Sequence, residues 1–265
     1  HGRRRWFNSS TPHHFLLHQV DTRGMYLADL TATQLDDVPR ERVVILPLAG
    51  FEQHSLHLPF GTDARILDAL VGELVQRVPD HLLALPTQWL SHSGQHAPYK
   101  GVMSIPSQTY GELLTGVVGS IADAGFSRVL LLNGQYDNDA PLAMALREMR
   151  ERRSGLSVVA CSYWSVIDAT EHGDFPGHAG DLETSLMMRL HPEKVVADKR
   201  ARDGLVPPSK HRQNVMQYAR IDQRSHHGGL GDPEAASAER GDRLFDEIAS
   251  GLAALVRDLH DGLLT

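Results

Sequence analysis

The stretch VVILPLAGFEQHSLHLPFGTD, residues 43 to 63, decides how the chain is read. Its opening run, Val43 to Leu48, is apolar or proline throughout, which predicts a strand buried on both faces. Glu52, His54, His57 and Asp63 follow in a loop punctuated by Gly50, Pro59 and Gly61. Carboxylate and imidazole together make a ligand set for zinc, manganese or iron, whereas calcium takes oxygen alone. In a chain with 16 histidines the Glu-x-His triplet also reads as an ordinary polar loop. Its position favours a site, because ligands of open α/β sheets gather where strands end and loops begin.

The whole chain limits what such a site can belong to. Its 265 residues suit a single α/β domain over 1–265, with residues 1–24 as a basic and aromatic N-terminal arm. A net charge of −7 argues against nucleic acid or anionic membrane and for a small-molecule substrate. The lone cysteine, Cys161, excludes an intrachain disulfide and a CxxC zinc site, and a reducing, cytoplasmic setting is expected. No apolar run reaches membrane-spanning length, so no membrane partner is expected.

Working outward, Ile66, Leu67, Leu70, Leu74 and Val78 recur at helical spacing and predict a helix over 64–78, stopped by Pro79. Residues 26–35 read as a lead into the first strand, and Leu82 to Leu85 as the second strand. The Ser-, His- and Gly-rich loop Trp89 to Ser107 comes next, and long ordered loops usually serve function. Ser107 is expected to cap a helix over 108–124 that ends at Gly125. A third strand over 128–132, a helix over 141–153 and a fourth strand over 156–161 complete the alternation. Loop 174–185 feeds a helix running through Met187 to Leu190. Residues 192–228 are polar and read as a surface or inter-subunit excursion, and Pro233 to Leu259 as a long amphipathic helix. This order implies a mostly parallel sheet covered on both faces.

Three loops that each follow a strand carry clustered polar residues: Glu52, His54 and Asp63; Gln135, Tyr136 and Asp137; His178, Asp181 and Glu183. In a parallel sheet all three open at one edge. Nucleophile-elbow, phosphate-loop and dinucleotide fingerprints are absent. Cys161 sits inside an apolar strand and reads as core.

With these residues in view, the chain resembles the creatininase (creatinine amidohydrolase) family. Glu52-Gln53-His54 through Asp63 resembles that family's E-Q-H-G-x-H-L-P-x-x-T-D. Gly125-Phe126 through Asn133-Gly134 resembles its G-F-(strand)-N-G segment. His178-Ala179-Gly180 with Glu183-Thr184-Ser185 resembles its H-A-G-x-x-E-T-S. Gly231-Asp232-Pro233 with Ala236-Ser237-Ala238-Glu239 and Gly241 resembles its C-terminal G-D-P-x-x-A-S-A-E-x-G.

The resemblance implies a three-layer α/β/α sandwich, a homo-oligomer (often a hexamer) and a two-ion site. Carried over by position, Asp63 bridges, Glu52 holds one ion and His54 the other, with Asp137 a further metal ligand. Zinc or manganese is the expected cofactor, with iron as a further candidate, at one or two ions per chain. Creatininase-like chains read N-G-H-Y-E-N where this one reads Asn133-Gly134-Gln135-Tyr136-Asp137-Asn138, and an amide is a poorer ligand than imidazole. Ser55 stands where the family has a glycine, and Asp174-Phe175 where creatininase has a Trp-Asp pair. Trp164 does match the other substrate-side tryptophan, which leaves the creatinine pocket only half present, so creatinine itself is not the expected substrate.

The expected activity is metal-dependent hydrolysis of a small cyclic amide or related C–N bond through a metal-activated water. His178 and Glu183 are the catalytic candidates: His178 shuttles the proton, and Glu183 orients it or adds a ligand. Gln135, Tyr136, Ser91, His96, Trp164 and Asp174 are the candidate substrate contacts. Two alternatives stand beside it: C–C ring opening of a cyclic ketone of the keto-inositol type, and a degenerate, non-catalytic family member.

Overall fold

The computed structural model describes residues 25–168, 177–204 and 218–264. The expected N-terminal arm 1–24, Asp174 and residues 205–217 of the polar segment lie outside them. In chain order the elements are β1 (Met25–Tyr26), α1 (Ala32–Asp36), β2 (Val43–Leu48), α2 (Thr62–Arg77), β3 (Leu82–Ala84) and α3 (Ser107–Asp123). They continue with β4 (Arg128–Asn133), α4 (Asp139–Arg152), β5 (Ser157–Ser162), α5 (Asp181–Leu190) and α6 (Ala238–His260). All strand pairs are parallel, in the order β1-β3-β2-β4-β5.

The side-chain alternation along the central strands builds a core on each face of the sheet. Val43 and Ile45 of β2, with Leu130 and Leu132 of β4, face Ile66 and Leu70 of α2, Leu186 of α5 and Ile248 of α6. Val44, Leu46 and Leu48 of β2, with Val129 and Leu131, face Leu114 of α3 and Met149 of α4. The result is the expected three-layer α/β/α sandwich.

From β2 the chain crosses through α2 to β3, then returns through α3 on the opposite face to β4. Right-handed crossovers in opposite directions must use opposite faces. The helices that follow β2 and β4 therefore diverge, which opens a crevice beyond the carboxyl ends of those strands. Glu52 leaves one lip of it and Gln135 the other.

Several elements differ from the sequence reading. β1 and α1 replace a featureless lead-in: Thr31 caps α1 with a capping box to Gln34, and five residues are too few to show a helical period. Ser107 is the first residue of α3; Pro106 holds the cap position, with no side-chain cap. The predicted Pro233–Leu259 helix is a 3-10 turn at Pro233–Ala235 followed by α6, whose cap is Ser237 accepting from Arg240 N–H. Within the supposed surface excursion 192–228, Ser225 and Gly228 are buried.

α5 and α6 pack so closely that Gly241 has no room for a side chain. An added Cβ would overlap the Ser185 carbonyl and lie 3.0 Å from the Arg189 Cβ. Gly241→Ala is expected to lower stability by about 1–3 kcal/mol through overpacking. Urea unfolding would show this as a reduced midpoint, and an unchanged midpoint would contradict the tight approach.

Candidate metal centre

The loop after β2 is shaped by close backbone approach. A Cβ on Gly50 would sit 2.9 Å from Asp63 Oδ2 and 3.3 Å from Glu52 Oε2, so only glycine lets both carboxylates in. The Gly50 N–H donates to Asp63 Oδ2 at 3.1 Å. Ser55, in the position the family gives to glycine, adopts φ 56°, a left-handed conformation that costs a non-glycine residue about 1–2 kcal/mol. Its N–H donates to Gln53 Oε1 at 2.7 Å, which holds the turn. Ala179 is also left-handed (φ 48°), and its N–H donates to Glu183 Oε2 at 2.5 Å. Asp63 and Glu183 both stand in the first turn of a helix, where the helix dipole favours a carboxylate.

These turns bring five predicted residues together, all buried: Glu52, His54, Asp63, His178 and Glu183. Three sets of ligand atoms lie within 4.8 Å of one another: Glu52/His54/Asp63, His54/His178/Glu183 and Glu52/His96/His178. His54 Nε2 is 2.8 Å from Asp63 Oδ1 and 4.0 Å from Glu183 Oε2. Its Nδ1–H donates to the Glu52 carbonyl at 3.1 Å, so Nε2 is the nitrogen that faces Asp63 and offers a lone pair once its proton is displaced. His178 is oriented the other way round. Its Nε2–H donates to the Gln53 carbonyl at 2.7 Å, leaving Nδ1 to face Glu52 Oε1 at 3.7 Å. The two imidazole rings lie 4.5 Å apart, centroid to centroid.

The electrostatics follow from burial and crowding. Burial and the Asp63 charge push the Glu52 carboxyl well above its usual range. Burial does the same for Glu183, opposed by His54 and aided by Asp63, lifting it to about 7. Burial disfavours charge on His54, yet the Asp63 carboxylate, then Glu183 and Glu52, outweigh it and raise its pKa to about 10. Burial and the charge on His54 pull His96 down to about 3 and His178 well below the usual imidazole range. A buried acidic centre thus draws a positive charge onto His54, while its other imidazoles stay neutral.

The remaining predicted residues are distributed as follows. Gln135 is buried and donates from Nε2 to Glu52 Oε2 at 2.6 Å. Asp137 is outside the three ligand sets; its Oδ2 accepts from Gln95 N–H at 2.7 Å. His96, expected as a substrate contact, is buried with Nε2 3.2 Å from Glu52 Oε1. Ser91 is fully buried beside the bridge to Ser104, Tyr136 is 59% exposed at the rim, and Trp164 packs edge-on against Tyr163. Asp174 lies outside the described residues. Cys161 is free, and burial raises its thiol to about 11, as a core cysteine requires.

Two contributors escaped the sequence reading. Gln53 links Ser55, Gly228 and His96, and its place between two ligands was the only signal. Tyr163 is buried with its hydroxyl unpartnered among the described residues, and burial, then the Glu183 and Asp63 charges, raise its pKa.

A parallel α/β/α sandwich with three buried carboxylates and two inward-facing imidazole nitrogens at its switch point defines a metalloenzyme scaffold. The chain belongs to the creatininase family: the creatinine amidohydrolase family signature matches residues 28–256. It is 32% identical over 231 residues to the mycofactocin precursor peptide peptidase of Mycolicibacterium smegmatis, covering 84% of this chain and 89% of that one. It is 27% identical over 236 residues to the creatinine amidohydrolase of Pseudomonas putida, covering 82% and 89%. A crystal structure of creatininase with manganese superimposes with a TM-score of 0.73 at 25% identity, covering 88% of this chain and 98% of that one. The chain is accordingly a metal-dependent hydrolase of this family.

The residues fit a divalent ion on their own chemistry. Among the described residues no lysine or arginine pairs with Glu52, Asp63 or Glu183, so three buried carboxylates share a single protonated imidazole, His54, as their counter-charge. An ion here competes with the protons on His54 and Glu183. Because those pKa values are raised, to about 10 and about 7, proton binding stabilises the fold below them and weakens as pH rises. The rise in Tm on adding Mn2+ should therefore be larger at pH 8 than at pH 6. Calorimetry at the two pH values checks this, and equal shifts would contradict ligation by these groups.

Proposed function

We propose that the chain hydrolyses the C–N bond of a peptide amide, with Glu52, His54 and Asp63 holding the ion, which is zinc, manganese or iron. The supporting observation is that Glu52, His54 and Asp63 converge with His178, whose ring offers a neutral lone pair at Nδ1. A divalent ion bound by these ligands polarises a carbonyl and lowers the pKa of water. His178 accepts the proton from the attacking water at Nδ1 and returns it to the departing amide nitrogen. Its Nε2–H, anchored on the Gln53 carbonyl, keeps the ring aimed throughout. Glu183 braces the Ala179 turn that carries His178.

The substrate class is supported from two sides. The relative named as a peptide peptidase is the more similar of the two compared, at 32% against 27% for the creatinine amidohydrolase. The lip of the centre is also open and apolar. Phe51 stacks on Phe60 and meets Trp89 edge-on, while Trp89, Met103 and Tyr136 are about half exposed, a surface suited to an extended chain. A cytoplasmic homo-oligomer, a hexamer by family resemblance, goes with this reading. No helix among the described residues is long and apolar enough to cross a membrane.

The Mn2+-loaded protein is expected to cleave peptide amides in a panel that also holds creatinine, lactams and keto-inositols. Asp63→Asn should lower turnover by on the order of a hundredfold or more, since a ligand is lost. Full turnover by Asp63→Asn, or turnover of keto-inositols alone, would overturn the proposal.

A further inference from the structure

We infer that this centre binds one divalent ion and not the pair that the family resemblance implies, because Gln135 and His96 turn N–H groups toward Glu52 where a second ion needs lone pairs. The inference rests on the metal-hydrolase reading above and adds the composition of the site.

The three ligand sets cannot be filled independently, since any two of them share a residue. Glu52/His54/Asp63 and His54/His178/Glu183 share His54. Its Nδ1–H is committed to the Glu52 carbonyl, so a single lone pair, on Nε2, remains for a single ion. His54/His178/Glu183 and Glu52/His96/His178 share His178, whose Nε2–H is committed to the Gln53 carbonyl, again leaving one lone pair. Of the three sets, only Glu52/His54/Asp63 and Glu52/His96/His178 could be filled together, bridged by the Glu52 carboxylate.

That remaining pair is closed by two amides. Gln53 Oε1 accepts from Ser55 N–H at 2.7 Å and its Nε2 donates to the Gly228 carbonyl at 2.9 Å, so the amide cannot be turned over without losing both bonds. Its second N–H then faces His96 Nδ1 at 3.0 Å, which must accept. A neutral His96 ring therefore carries its proton on Nε2, the atom 3.2 Å from Glu52 Oε1. Gly228 permits this arrangement, because a Cβ there would overlap the Gln53 amide.

Gln135 is fixed by the same logic. Its Oε1 accepts from Asp137 N–H, and its Nε2 lies 3.1 Å from the His92 carbonyl, which can only accept. Nε2 is thus the nitrogen, and it donates to Glu52 Oε2 at 2.6 Å. Each Glu52 oxygen thus faces an N–H donor, Oε2 that of Gln135 and Oε1 that of His96, while the carboxylate also lies in the set with His54 and Asp63. A second ion bridged by Asp63 fares no better: Gln135 offers it a nitrogen donor, and Asp137 is tied to Gln95 outside the ligand sets.

The test is a titration of the full-length protein, stripped of metal, with Mn2+, followed by equilibrium dialysis and by EPR. Manganese is chosen because its preference for carboxylate keeps the chain's other histidines out of the count. The expected result is saturation at one tightly held ion per chain with the spectrum of an isolated Mn2+. A spin-coupled pair of ions in the wild-type protein would overturn the inference while leaving the hydrolase reading intact. No bound ion at all would overturn both. Gln135→His, which puts an imidazole lone pair in place of the N–H, is expected to gain a second, spin-coupled ion. If that variant folds and stays at one ion, the exclusion is not due to Gln135 and the inference fails in that respect.

Discussion

His54 Nε2 and Asp63 Oδ1 lie 2.8 Å apart at the base of the crevice, with Glu52 and Glu183 close by and no lysine or arginine among the described residues to offset them. Three carboxylates removed from water are costly unless a cation joins them. That requirement organises everything around the crevice. It explains why charge is drawn onto one histidine while the others remain neutral, and why backbone N–H groups of Gly50 and Ala179 are turned onto Asp63 and Glu183.

The scaffold meets this demand by accepting local strain. Ser55 and Ala179, in two of the turns that build the centre, both occupy left-handed backbone conformations. Such residues persist where the surroundings over-determine them, commonly at functional sites. Here the over-determination is visible: the Ser55 turn is held by Gln53, and the Ala179 turn by Glu183. The sandwich behind them is rigid and fully apolar, with β2 and β4 buried on both faces between two helical layers. Precision at the centre comes from strand ends, and the loops add only short turns to them.

Much of this was legible in the sequence. β2 could be read from Val43 to Leu48 because a strand buried on both faces is a continuous apolar run, and the helices because their apolar stripes are long. The convergence of Glu52, His54, Asp63, His178 and Glu183 involves two of the three loops expected to open at one edge of a parallel sheet, while Asp137 of the third lies outside the ligand sets. The part that was not legible concerns hydrogen-bond direction. Nothing in the spacing shows that Gln135 presents its nitrogen to Glu52, or that Gln53 dictates the tautomer of His96 across 43 residues. β1 and α1 were equally hidden, being too short for a period. The packing of Gly228 beneath Gln53 joins residues 175 apart, a contact that only the folded chain creates.

The most direct measurement of the central claim is a crystal structure of the zinc-soaked protein with anomalous diffraction at the zinc edge. A peak within about 2.0–2.2 Å of His54 Nε2 and of carboxylate oxygens of Asp63 and Glu52 is the predicted result. A peak only at surface histidines, with Glu52, His54 and Asp63 pointing away from one another, would contradict it.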